Sequence, residues 1–283
     1  MSDEKSLKYN EPWILQRADP YVYRHTDGSY YFTASVPAYD GIVLRRAGTL
    51  AELSGAEEVM VWKKHESGPM SYHIWAPEIH YLFGKWYIYF AGGEAEDIWK
   101  IRPYVLECSG DDPLTDEWVE LGKMKRAAED EFSFEAFSLD ATVFENKGEY
   151  YYVWAEKVGV GKMISNLYIA NMESGNQLKT VQILLTTPDY DWERKGFWVN
   201  EGPAVIHHDG KLFLTYSASE TGVDYCVGML SIDEDADILD PRLWKKERYP
   251  VLKTCETSWS TTHGRRQKLT EIRCTIRTVM RCL

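Results

Sequence analysis

The sequence predicts an all-β fold: a five-bladed β-propeller with four blades clear and the fifth disrupted or missing. One pattern recurs four times, an acid at the mouth of an apolar strand, a tight glycine turn and a second, aromatic-rich strand. The acids Asp19, Glu78, Asp140 and Glu201 lie 59, 62 and 61 residues apart, which is a regular period. Each repeat then continues into two further apolar segments, and four short strands per unit is how a propeller blade reads.

In the first unit Asp19-Pro20-Tyr21-Val22-Tyr23 leads through Asp27-Gly28 to Tyr30-Tyr31-Phe32, with later strands at Gly41–Ala47 and Val59–Lys63. In the second, Glu78–Leu82 turns at Gly84-Lys85 into Trp86–Phe90, followed by Pro103–Cys108 and Trp118–Met124. In the third, Asp140–Phe144 turns at Lys147-Gly148 into Tyr150–Trp154, followed by Asn166–Asn171 and Thr180–Thr186. The fourth runs from Val199–Ile206 through Asp209-Gly210 to Leu212–Tyr216, Tyr225–Ile232 and Trp244–Leu252. A β-sandwich or a stack of unrelated hairpins are the alternatives.

Three connections are long: Lys64–Ile74, Lys125–Phe137 and Thr187–Val199, the last carrying Trp192 and Trp198. Loops of this kind wall a pocket at the channel mouth, although the two tryptophans also suit packing between blades. Glu94–Ile101 and Glu129–Glu135 read as solvated acidic surface. The period places a fifth unit near residue 262, yet Cys255–Leu283 has no Tyr or Phe and holds three of the five cysteines. Its charge also inverts, with six Lys and Arg against two Glu. Residues 1–254 are therefore expected to form the catalytic propeller domain. The tail, 255–283, reads as sequence translated out of frame in place of the fifth blade, or as an irregular basic tail.

A net charge of −12 disfavours nucleic acid and anionic membrane as partners and suits a neutral sugar. The first twenty residues contain no apolar run long enough for a signal peptide or membrane span, so the expected compartment is the cytoplasm, though a removed leader would leave the same trace. The cysteines form no CxxC pair, the seven histidines no close metal pattern, and Ser35, Ser138, Ser217 and Ser219 sit in no G-x-S-x-G elbow.

In a propeller the first strand of each blade lines the channel, so the four acids are expected to share one mouth. Carboxylates crowded there raise one another's pKa values, which allows one to stay protonated while another is charged, as glycosidic cleavage requires. On a ring of five, Asp19 faces Glu201 across the mouth and Asp140 stands beside Glu201. A strand-start carboxylate also suits fixing a turn. That structural reading is preferred for Glu78, which follows Trp75-Ala76-Pro77. Trp75 offers a face for a sugar ring, or a core side chain.

Arg17-Ala18-Asp19-Pro20, Trp75-Ala76-Pro77-Glu78, Ser138-Leu139-Asp140-Ala141 and Asn200-Glu201-Gly202-Pro203, in this order and spacing, resemble the signature motifs of glycoside hydrolase family 43. The wording of Ala18–Leu50 is most similar to the family's α-L-arabinofuranosidases. The resemblance implies a five-bladed propeller acting by inversion, with Asp19 as general base, Glu201 as general acid and Asp140 as the modulator of its pKa. It also implies that Trp75 and Leu139, with Ser217, shape the subsite for the terminal sugar. No cofactor is implied for the chemistry. The family's fifth blade carries a His-Asn motif beside a channel ion, which admits a structural calcium, but here His263 is followed by Gly264, so the motif is not intact. The expected activity is exo-hydrolysis of terminal α-L-arabinofuranosyl residues from arabinan or arabinoxylan oligosaccharides. A β-xylosidase, an endo-arabinanase and a sugar-binding propeller without catalysis are the alternatives.

Overall fold

In the computed structural model, residues 13–160 and 162–253 are described. They form an all-β structure with two short 3-10 turns, Ala51–Ser54 and Asp191–Glu193. The first unit comprises β1 (Ala18–Arg24), β2 (Tyr30–Ser35), β3 (Gly41–Ala47) and β4 (Val59–Lys63). The second comprises β5 (Tyr72–Leu82), β6 (Lys85–Glu94), β7 (Asp97–Cys108) and β8 (Val119–Lys123). In the third, β9 (Ser138–Asn146), β10 (Glu149–Val160) and β11 (Lys162–Ser174) precede the short β12 (Gln177–Leu178) and β13 (Ile183–Thr186). In the fourth, β14 (Trp198–His208), β15 (Lys211–Ala218) and β16 (Cys226–Asp233) precede β17 (Lys245–Lys246) and β18 (Leu252–Lys253).

The first three strands of every unit pair consecutively and antiparallel, and the short strands that follow pair with the third: β4 with β3, β8 with β7, β12 and β13 with β11, and β17 and β18 with β16. In three units the hairpin joining the first two strands closes on two left-handed residues: Phe83-Gly84, Lys147-Gly148 and Asp209-Gly210. That geometry matches strand twist and makes glycine the favoured second residue. The first unit instead uses a five-residue loop between Arg24 and Tyr30, in which the Ser29 N–H donates to Asp27 Oδ1 at 2.7 Å.

The second strands explain the unbroken aromatic runs of the sequence. Side chains alternate between the faces of a strand, and here both faces are covered. Trp86, Ile88 and Phe90 of β6 pack with Tyr31, Ile42 and Leu44 of the first unit, while Tyr87 and Tyr89 pack with Tyr152 and Trp154 of the third. Val153 and Ala155 of β10 point the other way, onto Leu212, Leu214 and Tyr216 of the fourth. The core is thus three slabs, each sandwiched between consecutive units. A smaller cluster of Phe32, Ala34 and Leu53 covers the outer face of the first unit beneath Trp13 and Ile14.

Two features depart from the sequence reading. The hairpin of β10 and β11 runs farther than its apolar core, and its end pairs in parallel with β14 at Ile164–Trp198 and Ser165–Val199. Units three and four therefore share one hydrogen-bonded sheet, and no sheet closes on itself among the described residues. The expected fourth strands at Thr180–Thr186 and Trp244–Leu252 are broken into short pieces. In the latter, Trp244 turns inward to donate to the Ile238 carbonyl at 3.0 Å, and Pro250 removes a ladder donor. The expected fifth unit near residue 262 and the tail 255–283 lie outside the described residues.

Gly175 brings the third unit close against the second. Its carbonyl accepts from the Tyr89 hydroxyl at 2.7 Å, and a Cβ there would stand 2.2 Å from the Tyr87 ring. Gly175→Ala is expected to destabilise the protein by about 1–3 kcal/mol, read as a lower urea midpoint. An unchanged midpoint would show that the two units are not held this tightly.

Candidate active site

Each first strand carries an extra residue relative to its partner at the same place, and β5 has a second one between Tyr72 and Trp75. The register slips between Ala18–Ser35 and Tyr21–Thr33, Trp75–Ala91 and Glu78–Tyr89, Leu139–Ala155 and Thr142–Val153, and Glu201–Ser217 and Ala204–Thr215. These are β-bulges, which bend a strand and re-aim its side chains. In all four the leading bulge residue is left-handed: Asp19 at φ 49°, Ala76 at 46°, Asp140 at 55° and Gly202 at 58°. A left-handed residue that is not glycine carries strain of about 1 kcal/mol or more, and such strain concentrates at functional sites. Proline follows the leading residue in three of the bulges, as Pro20, Pro77 and Pro203, a position that needs no ladder donor.

The shared bulge corrects the expectation that the four acids stand in one register. Only Asp19 and Asp140 are equivalent. Glu201 stands one residue before its bulge, at the level of Trp75 and Leu139, while Glu78 stands two after, at the level of Tyr21 and Thr142. Glu78 is consequently sealed from solvent. His80 Nε2 lies 3.1 Å from its Oε2, and the Tyr21 hydroxyl lies 3.3 Å from His80 Nδ1.

Strand β1 packs on β5, β5 on β9 and β9 on β14, so the four bulges sit on neighbouring strands. Ser35 couples the first two: its hydroxyl donates to Asp19 Oδ2 at 3.1 Å and accepts from the Ala76 N–H at 2.7 Å. Sequence reading passed over Ser35 for want of a nucleophile motif, yet it faces Ala18 across the hairpin as Ser217 faces Glu201. Ser217 is buried, Leu139 packs on the core between units three and four, and Asp140 is 6% exposed.

Glu201 Oε1 accepts from the Tyr225 hydroxyl at 3.0 Å. Its charge also reaches Lys157, whose ammonium lies 3.8 Å from the centre of the Phe137 ring. Burial pulls the Lys157 pKa down and the Glu201 carboxylate pulls it back up. Lys157 lines a cavity of about 330 Å³ with Glu131, Phe132, Glu135 and Gln182.

Two buried carboxylates hold the flanking loops. Glu193 accepts from Asn200 Nδ2 (3.0 Å), the Tyr216 hydroxyl (2.9 Å), the backbone N–H groups of Asp189 and Tyr190, and the Lys246 ammonium. It ties the loop 187–197 to the residue beside Glu201. Trp192 and Trp198 of that stretch are engaged locally, the indole of Trp192 donating to the Arg248 carbonyl and Arg194 stacking on Trp198. Glu156 accepts from the Phe134 and Ala136 N–H groups and from the Trp154 indole, which fixes the loop 124–137 leading into Asp140. Neither acid had a sequence signal, because its role depends on donors brought by other strands.

Trp75 lies 4.2 Å from the His73 ring, and Trp99 lies 5.2 Å from His73. The segment Glu94–Ile101, expected to be bare acidic surface, is thus a hairpin end that carries an aromatic side chain to Trp75. Among the described residues, no three His, Cys, Asp or Glu side chains converge to hold a metal ion. His263, the residue considered for a calcium site, lies outside them.

The profile described as Glycosyl hydrolases family 43 matches residues 9–270. The chain is 47% identical over 250 residues to a Streptomyces chartreusis protein named extracellular exo-alpha-(1->5)-L-arabinofuranosidase, covering 88% of this chain and 74% of that one. It is 44% identical over 247 residues to alpha-L-arabinofuranosidase 43 of Humicola insolens, covering 87% of this chain and half of that one. Among solved structures, an alpha-L-arabinofuranosidase from Lactobacillus brevis superposes with a TM-score of 0.79 at 50% identity, covering 87% of this chain and 77% of that one. The extracellular name of the Streptomyces relative corrects the cytoplasmic expectation. That expectation rested on the lack of an apolar run in the first twenty residues, which is no evidence of compartment.

The Lys157–Glu201 proximity has a direct readout. Glu201→Gln removes the charge that holds the Lys157 pKa up, so the lysine is expected to titrate at lower pH in the variant, followed by NMR of its ε-methylene. An unmoved titration would separate the two groups.

Proposed function

The chain belongs to glycosyl hydrolases family 43, and on that premise we propose that it is an inverting exo-α-L-arabinofuranosidase. It releases terminal arabinofuranosyl residues from arabinan or arabinoxylan oligosaccharides. The observation that carries this reading is the 47% identity over 250 residues to an exo-acting arabinofuranosidase, a stretch long enough to take in most of the four units.

The mechanism follows from the three acids. Inversion needs a carboxylic acid to protonate the departing oxygen and a carboxylate on the opposite face of the sugar to activate water, about 6.5–9.5 Å apart. Glu201 is the acid and Asp19 the base. The Ser35 hydroxyl holds one oxygen of Asp19 and ties it to the Ala76 backbone, so the base is oriented by a neighbouring unit. Asp140, buried on the strand beside β14, opposes ionisation of Glu201, while the Lys157 ammonium acts the other way. Trp75, Leu139 and Ser217 shape the sugar subsite; the first two share the strand level of Glu201 and the third pairs with it. Two carboxylates complete this chemistry without a cofactor.

The four units are read as successive blades of a five-bladed propeller, residues 1–254 being its catalytic domain. Burial of each inner sheet on both faces, between its predecessor and its successor, supports this. The basic, cysteine-rich composition of 255–283 supports its being out of frame. Sequencing the coding DNA is expected to reveal blade-like sequence in a neighbouring frame, and its absence there removes that reading.

Activity is tested on an aryl α-L-arabinofuranoside, an aryl β-xyloside and dyed arabinan. Release from the first alone is expected; preference for the second or third would replace this reading by its xylosidase or endo-acting alternative. Glu201→Gln and Asp19→Asn should each lower turnover by about 10²–10⁴-fold. Retention of most activity in either variant overturns its assigned role.

A further inference from the structure

The end of the hairpin between β6 and β7 is anchored to the segment that precedes β5. The Glu96 carboxylate accepts from the Gly68 N–H at 3.0 Å, the Ala95 N–H donates to Ser71 Oγ at 2.7 Å, and Lys100 pairs with Glu94 at 2.9 Å. At this fixed position Trp99 is 62% exposed. A single exposed indole is ordinary surface, but Trp99 belongs to an aromatic cluster with Trp75 and His73 and so offers a backed, flat face to a ligand.

Behind it stands a cluster of rings. Trp99 and Trp75 lie 6.4 Å apart, and His73 packs against both, tilted by 38° to the first and 33° to the second. Tyr72 meets His73 edge-on at 4.4 Å, and Tyr39 meets Trp75 edge-on at 5.9 Å. Both His73 nitrogens are buried without a hydrogen-bond partner, and burial pulls its pKa down. The imidazole thus serves as an aromatic ring packed against both indoles. Exposure increases from half-buried Trp75 at the strand level of Glu201 to open Trp99.

The geometry points to Trp99, backed by His73, as the stacking platform for the sugar that follows the scissile bond on its leaving-group side. This rests on the arabinofuranosidase reading. If Trp75 faces the terminal ring, the next ring of an oligosaccharide lies farther out, where Trp99 offers a flat apolar face. Trp99 then determines preference for an oligosaccharide over a glycoside with a small leaving group.

The test compares α-1,5-arabinotriose with α-L-arabinofuranosyl azide, whose leaving group is too small to reach Trp99. Trp99→Ala should raise KM for the trisaccharide by about tenfold, with a clearly smaller effect on the azide, and Trp99→Phe should restore most of the trisaccharide affinity. Equal losses on both substrates, or no loss on either, overturn the platform. Calorimetry of arabinotriose and xylotriose with Glu201→Gln protein, with and without Trp99→Ala, reads the contact without turnover. If the parent enzyme cleaves neither arabinoside, the functional reading fails, and the calorimetry still decides the platform. Weakened trisaccharide binding in the double variant supports it; unchanged binding, or none even with Trp99 present, overturns it.

Discussion

The bulge repeated in each first strand is the constraint on which the candidate site depends. A regular strand turns successive side chains to opposite faces, so Asp19 and Pro20, or Asp140 and Ala141, would point apart in a fixed alternation. One inserted residue in the left-handed region breaks that alternation at one level of four neighbouring strands. The strand below each bulge can then serve the core while the segment at and above it serves the mouth. The strain is tolerated because the ladder resumes on both sides, as at Ala18–Ser35 and Tyr21–Thr33.

The same constraint sorts the acids. Asp19 and Asp140 occupy the bulge itself, Glu201 lies just above it, and Glu78 lies below, sealed beside His80. A carboxylate at that depth needs compensation, since burying charge without a partner is costly, and the His80 ring is one partner. Glu193 and Glu156 are likewise compensated. Each is a buried acid surrounded by donors from its own loop and from neighbouring strands, and removing the carboxylate would leave those donors unsatisfied. These carboxylates convert two long loops into rigid walls beside the proposed acid and its neighbour.

Packing between units supplies the remaining rigidity. Because β6 and β10 are buried on both faces, the rings of Tyr89, Tyr152 and Trp154 serve two sheets at once. A displacement of one unit is felt in the next, and Ser35 carries that coupling to Asp19 through the Ala76 backbone. The proposed base is held by an element other than its own.

Local chemistry was legible in the sequence. The apolar runs and the Lys147-Gly148 and Asp209-Gly210 turns located β3 and β4 to the residue, because those signals act between neighbours along the chain, whereas β5, β7 and β10 each extend six residues beyond the end those runs mark. The family motifs likewise put Asp19, Asp140 and Glu201 forward before any coordinates. What the tertiary structure alone decided depends on partners distant in sequence. The regular spacing of the acids points to a shared register; the prolines Pro20, Pro77 and Pro203 mark the true one, which only cross-strand pairing makes plain. The parallel join of β11 to β14, the burial of Glu193 and Glu156, and the approach of Trp99 to Trp75 each bring together residues from separate segments. No local pattern encodes such meetings, since their energy exists only once the sheets have packed.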